Sequence, residues 1–339
     1  MLKKRIKVGL NGFGRIGRAF ARIALEKDLF DLSLINTRKS RPEMMAYLLK
    51  YDSVYRKYGQ EVRADMDGIV VGGKKIPTLN NADIESIPWD KYQIDIVIDA
   101  TGAFEKKEEL AKHLRGSVKK VILSQPSDDD SIDHVVLGVN DTSFDFQNQQ
   151  IISNCSCTTN SASPLFKVLD DTFRVLSAYL TTIHAYTSSQ SLLDEANKNF
   201  TRSRAAGLNI VPTTTGAAEA VVKTLPNLKG RIDGMAIRIP IPTGSFTDIS
   251  AIVEKSTTVQ EVDAAFKKAS QDSLGGILEY MEDPIVSSDI IGSPYSSIFD
   301  SNYTKVISGH LVKVFGWYDN EWGYSSRLVD LVEKLSDYV

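Results

Sequence analysis

The chain's two cysteines both fall within Ser153-Asn154-Cys155-Ser156-Cys157-Thr158-Thr159-Asn160. This stretch joins an apolar strand pattern at 150–152 to a helical pattern at 163–169. A cysteine there sits at a strand end and a helix start, where free N–H groups and the helix dipole favour a thiolate. Cysteine is more often a small buried hydrophobe. The hydroxyls around Cys157 are wrong for an apolar core and point to a nucleophile. Such a thiol needs a base. Thr182-Ile183-His184 ends an apolar strand pattern in a histidine. A lone histidine there is commonly structural, but an ion pair of Cys157 with His184 would give a thiolate near neutral pH. Thr213-Thr214-Thr215-Gly216 opens a helical pattern, an anion-binding geometry. Arg202 and Arg204 precede it and Arg238 lies on a later strand pattern, and arginine suits bidentate phosphate contact.

A second constellation stands near the start. Gly12-Phe13-Gly14-Arg15-Ile16-Gly17 fits G-x-G-x-x-G. The motif is weak alone, but here it follows a strand pattern and opens a helical one, the context that gives it meaning. The glycines permit a tight turn and close approach of a pyrophosphate, whose charge sits on the helix N-terminus. The acidic residue expected about 20 positions on, to hold the adenosine ribose, is missing. The second strand ends Ile35-Asn36-Thr37-Arg38-Lys39. Loss of that carboxylate removes a repulsion toward a 2′-phosphate, and Arg38 and Lys39 would attract one. The expected cofactor is NADP or NAD, with NADP favoured. A cysteine nucleophile plus a nicotinamide suggests oxidation of an aldehyde to a thioester. Water would then release an acid and inorganic phosphate an acyl phosphate; the arginine and hydroxyl clusters favour phosphate.

The elements that must position these groups follow from length and pattern. A chain of 339 residues suggests about two domains. The net charge of -3 does not recommend nucleic acid as a main partner. No run approaches a membrane span, and the basic start Lys3-Lys4-Arg5 lacks the apolar region of a signal peptide. Two cysteines one residue apart cannot build a disulfide framework, so a reducing cytoplasm is the simplest home. Four scattered histidines supply no matching spacing for a metal site, and none is expected. In the first half, strand patterns at 6–10, 32–35, 94–98, 121–123 and 135–137 alternate with helical ones at 15–26, 44–49 and 107–114. A hairpin is expected where Gly72-Gly73 separates 69–71 from 74–76. That half reads as α/β, a mainly parallel sheet covered on both faces. In the second half, longer strands at 179–183, 234–239, 248–253 and 310–318 alternate polar and apolar, with helices at 215–225 and 259–270. It reads as a mixed or antiparallel sheet with helices.

Several segments together are specific enough to identify a family. They are Asn11 to Arg18, Leu49-Lys50-Tyr51-Asp52-Ser53, Ser156 to Asn160, His184-Ala185-Tyr186-Thr187, Pro212 to Ala218, and Trp317-Tyr318-Asp319-Asn320-Glu321-Trp322-Gly323-Tyr324. On them the chain resembles the phosphorylating glyceraldehyde-3-phosphate dehydrogenases along nearly its whole length. The resemblance implies a Rossmann-type doubly wound sheet in an NAD(P)-binding domain over 1–156, with the C-terminal helix (320–339) packing back on it. An α+β catalytic domain over 157–319 would carry the mixed sheet. The implied protein is a homotetramer that reversibly converts glyceraldehyde 3-phosphate, inorganic phosphate and the oxidised cofactor to 1,3-bisphosphoglycerate. By position, Cys157 is the nucleophile and His184 the base. Thr187 and Arg238 match the site for the substrate phosphate. Ser156, Thr158, Arg202, Thr215 and Gly216 match that for attacking phosphate. Asn320 matches the residue holding the nicotinamide amide, with Tyr324 beside that ring. Arg15 and Ile16 would contact the pyrophosphate, and Thr101, Gly102 and Ser124 would line the cofactor groove.

The chain departs from the family pattern at four places. The usual acid after Asn36 is Thr37, and the usual Leu-Pro in the loop after the histidine is Glu195-Ala196. In the tetramer that loop reaches a neighbour's cofactor, and both changes resemble the NADP-capable branches, although Glu195 would oppose a 2′-phosphate. The second family cysteine is Ser161, with Cys155 instead two before the nucleophile, and the first of the usual arginines before Arg202 is Thr201. Two rival readings are an erythrose-4-phosphate dehydrogenase and a non-catalytic dinucleotide-binding protein. Retention of Thr187 and Thr214-Thr215-Gly216 argues against the first, and the Cys157 and His184 pair against the second.

Overall fold

The computed structural model describes residues 5–38 and 40–339, and the chain forms two units. The first comprises 1–135, 143–155 and 325–339, the second 136–142 and 156–324.

The first unit opens with β1 (Lys7–Asn11), α1 (Arg15–Lys27), β2 (Asp31–Asn36) and α2 (Pro42–Lys50). Two short strands, β3 (Tyr51–Asp52) and β4 (Arg56–Lys57), pair with each other. A meander follows: β5 (Val62–Asp65), β6 (Gly68–Val71) and β7 (Lys74–Leu79). Then come β8 (Ile96–Asp99), α3 (Lys107–Leu110), β9 (Lys120–Leu123), β10 (Asp133–His134) and β11 (Ile151–Ser153). The nine-stranded sheet runs β10-β11-β9-β8-β1-β2-β7-β6-β5. It is parallel from β10 to β7, and only the meander is antiparallel. The strand order reverses beside β1, a switch point where ligands bind at the carboxyl ends of strands in open α/β sheets. Leu34, Trp89, Val97, Leu110, Val121 and Ile151 belong to one buried cluster of this unit.

The expected hairpin is present, with Val71 opposite Lys74 across Gly72-Gly73, both at positive φ. The helix expected over 107–114 breaks after Leu110 into a 3-10 turn, Ala111–His113, and His113 is fully buried. The strand expected at 135–137 lies instead at β10. There the Val136 N–H is taken by Asn140 Oδ1, which ends the ladder.

The second unit begins with α4 (Cys157–Phe173) and β12 (Val175–Ala185). It continues through β13 (Val211–Thr213), α5 (Ala217–Thr224), β14 (Ile232–Ile239), β15 (Ser245–Val253) and α6 (Val259–Gln271). It ends with β16 (Leu278–Met281), β17 (Ser297–Asp300), β18 (Lys305–Ile307), β19 (Leu311–Tyr318) and the start of α7 (Trp322–Leu335). The sheet order is β13-β14-β12-β15-β19-β17-β16, with β18 against β19, and parallel and antiparallel pairs mix. Among the described residues no helix is long and apolar enough to cross a membrane.

Candidate active site

Cys157 is the first residue of α4, and Ser156 caps that helix by accepting the Thr159 N–H at 3.0 Å. The sulfur therefore sits at the positive end of a helix dipole. His184 ends β12, and Cys157 Sγ lies 3.4 Å from its Nε2. Parallel pairing with β14 sets His184 beside Arg238. Arg238 Nη1 is 3.0 Å from His184 Nδ1, and it donates to the Ala185 carbonyl at 3.0 Å and to Thr187 Oγ1 at 3.4 Å. His184 Nδ1 is 2.7 Å from the Ala185 carbonyl. The Ala185 carbonyl can only accept and Arg238 can only donate; in the tautomer protonated at Nδ1 the ring and Arg238 Nη1 share that carbonyl, and the Nε2 lone pair faces the sulfur.

Burial pushes the Cys157 thiol up, while Arg238 and the hydrogen bonds of the helix start pull it down. Burial, Arg238 and Arg202 lower His184 to about 3. Each group thus resists ionising by itself. Passing the proton from Sγ to Nε2 creates both charges together across 3.4 Å, where they attract each other. Arg238 and the α4 N-terminus then stabilise the sulfur anion. An ion pair of the kind suggested by the sequence would therefore form only as a property of the pair, not of a free thiolate.

The remaining predicted residues fall into three groups. Arg202 donates to Thr213 Oγ1 at 3.0 Å and to the Thr214 carbonyl at 3.1 Å, which joins it to the segment leading to Gly216, the N-cap of α5. Thr215 Oγ1 accepts the Ala217 N–H at 3.2 Å. Arg204 stands apart, exposed and paired with Asp194. Asn320 Oδ1 accepts from Ser245 Oγ at 2.9 Å and Thr243 Oγ1 at 3.3 Å, so the amide NH2 is the end left to meet a ligand carbonyl. Tyr324 is buried in the first turn of α7.

In the first unit, Gly12 has φ +104°, and a Cβ there would meet the Ala100 carbonyl at 2.5 Å. Gly14 caps α1 without any side-chain hydrogen bond, and a Cβ there would meet nothing within 4 Å. The turn is thus shaped for a pyrophosphate at the helix start. Phe13 is buried, and the Ile16 carbonyl accepts from Ser325 Oγ at 3.5 Å. The Arg15 guanidinium is held by Asp52. Asn11, Asn36 and Thr101 direct their side-chain hydrogen bonds into the protein. The Ser124 N–H donates to the Asp99 carbonyl at 3.0 Å, and Gly102 is exposed with φ +66°. Asn11, Arg38, Asn81, Ala82, Thr101 and Phe104 help line a cleft at this edge. Thr37 is half-buried and Arg38 exposed; Lys39 lies outside the described residues.

Sequence reasoning missed Tyr318. Its hydroxyl lies 2.9 Å from Thr158 Oγ1 and 2.8 Å from Thr182 Oγ1, and its ring meets the His184 ring edge-on at 5.9 Å. Tyr318 braces the first turn of α4 against the strand that carries the base. Only its place in the Trp317–Tyr324 segment could have singled it out.

Two family models match the chain: the NAD binding domain of glyceraldehyde 3-phosphate dehydrogenase over residues 6–107, and its C-terminal domain over 156–320. The chain is 49% identical to glyceraldehyde-3-phosphate dehydrogenase 2 of Streptomyces avermitilis over 327 residues, covering 96% of this chain and 97% of that protein. It is 49% identical to glyceraldehyde-3-phosphate dehydrogenase of Mycobacterium avium, with coverage of 96% and 97%. It is 44% identical to glyceraldehyde-3-phosphate dehydrogenase 2 of Bacillus subtilis, with coverage of 98% and 97%.

Proposed function

The chain belongs to the glyceraldehyde 3-phosphate dehydrogenase family, and from that premise we propose that it oxidises glyceraldehyde 3-phosphate through a Cys157 thioester resolved by inorganic phosphate, with NADP favoured over NAD. The observation that carries this reading is the 3.4 Å approach of Cys157 Sγ to His184 Nε2, with Arg238 3.0 Å from the same ring.

Sγ gives its proton to Nε2 and bonds the aldehyde carbon; the carbonyl oxygen takes the proton and becomes a hydroxyl. A bound oxidised nicotinamide supplies the hydride acceptor. As the carbon loses hydride, Nε2 takes the hydroxyl proton back and the C=O bond re-forms as a thioester. An oxygen of inorganic phosphate then bonds that carbon and the C–S bond breaks, giving an acyl phosphate and the Cys157 thiolate. The α4 N-terminus and Arg238 stabilise that leaving group. Thr187 and Arg238 would hold the substrate phosphate. Ser156, Thr158, Arg202, Thr215 and Gly216 would hold the attacking one.

Three residues support NADP. Thr37 offers no carboxylate, Arg38 is exposed at the cleft, and the Asn36 amide is already engaged. A homotetramer with dihedral symmetry needs two distinct self-complementary surfaces. Among the described residues, two of the exposed apolar sets lie in the second unit. One is Leu192, Leu193, Phe200, Leu208 and Ile210 in the loop after His184; the other is Tyr179, Ile252, Ile307 and Leu311 on adjacent strands of the second sheet. The chemistry needs Cys157 reduced, which suits the cytoplasm.

Steady-state kinetics with both cofactors, with and without phosphate, test the reading. The rate with glyceraldehyde 3-phosphate should require phosphate and vanish in Cys157→Ser. Higher kcat/KM with NADP is expected, Thr37→Asp should move it toward NAD, and Arg38→Ala should cost about tenfold with NADP, the size of one charge-assisted hydrogen bond. A phosphate-independent rate, or faster turnover of erythrose 4-phosphate, would overturn the assignment.

A further inference from the structure

Behind the glycine turn lies a chain of buried polar side chains that the proposed reaction does not use. Asp99 ends β8, 1% exposed, and His113 is fully buried. Trp89 Nε1–H donates to His113 Nδ1 at 3.2 Å. Tryptophan can only donate, so Nδ1 carries no proton and the ring's proton is on Nε2. That Nε2–H donates to Asp99 Oδ2 at 3.2 Å. The same oxygen accepts Asn11 Nδ2 at 2.8 Å. Asp99 Oδ1 accepts the Thr101 hydroxyl at 2.6 Å and the Thr101 N–H at 3.1 Å. The Thr101 oxygen in turn accepts the Ala103 N–H at 3.1 Å. Asn11 Oδ1 accepts Asn36 Nδ2 at 2.8 Å. The Asn36 amide clamps Asn81, donating to its carbonyl and accepting its N–H, each at 3.0 Å.

One carboxylate thus ties together the carboxyl ends of β1, β2 and β8 and the loop after β7. This is the edge where a dinucleotide lies in an open parallel sheet. The strands do not need it for pairing. Backbone bonds from Gly12 N to the Asn36 carbonyl at 2.8 Å and from Ala100 N to the Asn11 carbonyl at 2.7 Å already join them there. A buried carboxylate is costly, and a well-packed apolar group in its place is often as stable or more so. Its return is the shape of the loops that it holds.

We propose that Asp99, braced from behind by His113, is a positioning residue for the dinucleotide: it holds the loops after β1, β2, β7 and β8 in their binding arrangement before the cofactor arrives. The inference rests on the dinucleotide-binding reading of this unit and is independent of which cofactor or aldehyde is preferred.

The test compares wild type with His113→Leu, His113→Gln and Trp89→Phe. Dissociation constants for NADH and NADPH come from nicotinamide fluorescence, and amide hydrogen exchange is followed in cofactor-free protein. A crevice formed a tenth of the time binds about tenfold more weakly. His113→Leu and Trp89→Phe should weaken both cofactors, His113→Leu by about that factor, and speed exchange at 101–103. His113→Gln keeps a donor toward Asp99 and should return both readouts toward wild type. The alkylation rate of Cys157 by iodoacetamide in cofactor-free protein should not change. Unaltered dissociation constants and exchange in folded His113→Leu, with only its melting temperature lowered, would overturn the proposal. Should His113→Leu fail to fold, Trp89→Phe decides by the same criteria, since it removes the hydrogen bond that fixes the imidazole behind Asp99 from a buried side chain that does not line the cleft.

Discussion

Arg238 faces the imidazole directly and reaches the sulfur through space, so it acts on the two partners in opposite directions. It lowers the pKa of both, which disfavours the charged imidazolium of His184 and favours the charged thiolate of Cys157. Replacing it with leucine removes the main charge that favours the thiolate. The pH profile of Cys157 alkylation in Arg238→Leu should therefore move to higher pH than in wild type. Acid stability follows from the same pair. Unfolded, His184 takes up a proton near 6.5; folded, not until about 3. Stability from this group is thus present above the unfolded value and lost as pH falls toward 3. Over that window its slope approaches about 1.4 kcal/mol per pH unit. His184→Asn should flatten the dependence of unfolding free energy on pH between 6 and 3, measured by urea titration. That Cys157 and His184 would meet was legible because their types are scarce: two cysteines and four histidines leave few candidates. Tyr318, one of 13 tyrosines, carried no such signal, and nothing local links Asp99, His113 and Trp89. Polar pairs made across a fold leave no spacing to read.

α4 owes the order of its first turn to Ser156. Ser156→Ala removes the acceptor for the Thr159 N–H. It should lower stability by about 1 kcal/mol in a denaturant titration and slow Cys157 alkylation, because the first turn then frays around the sulfur. Elements with a strong internal pattern were readable, such as β1 with its glycine turn and α1, or the hairpin of β6 and β7. The short ones were not. β13 contains Pro212 and lies at the sheet edge, where a residue without an N–H is tolerated but reads as a break. β16 and β18, of four and three residues, are too short for alternation to show. α3 ends early because His113 turns inward to Asp99, a demand made from elsewhere in the fold.

The two apolar sets of the second unit predict how the proposed tetramer should come apart. Phe200 is 90% exposed and Tyr179 46% exposed. Phe200→Glu and Tyr179→Glu should each reduce a tetramer to dimers in sedimentation velocity, and together to monomers. A species unchanged by both would exclude these faces as interfaces. The first unit also has a discontinuous make-up. Its last segment, 325–339, contributes fully buried Leu328, Leu331, Val332 and Leu335, and Tyr338 packs on Phe146 at 5.5 Å. During translation, then, the half that leaves the ribosome first is the half completed last. Its sheet emerges within the opening 153 residues, yet the helix that closes its core is still unmade until the second unit has been synthesised. A stalled or truncated nascent chain would display that bare apolar surface, an obvious handle for a holdase chaperone.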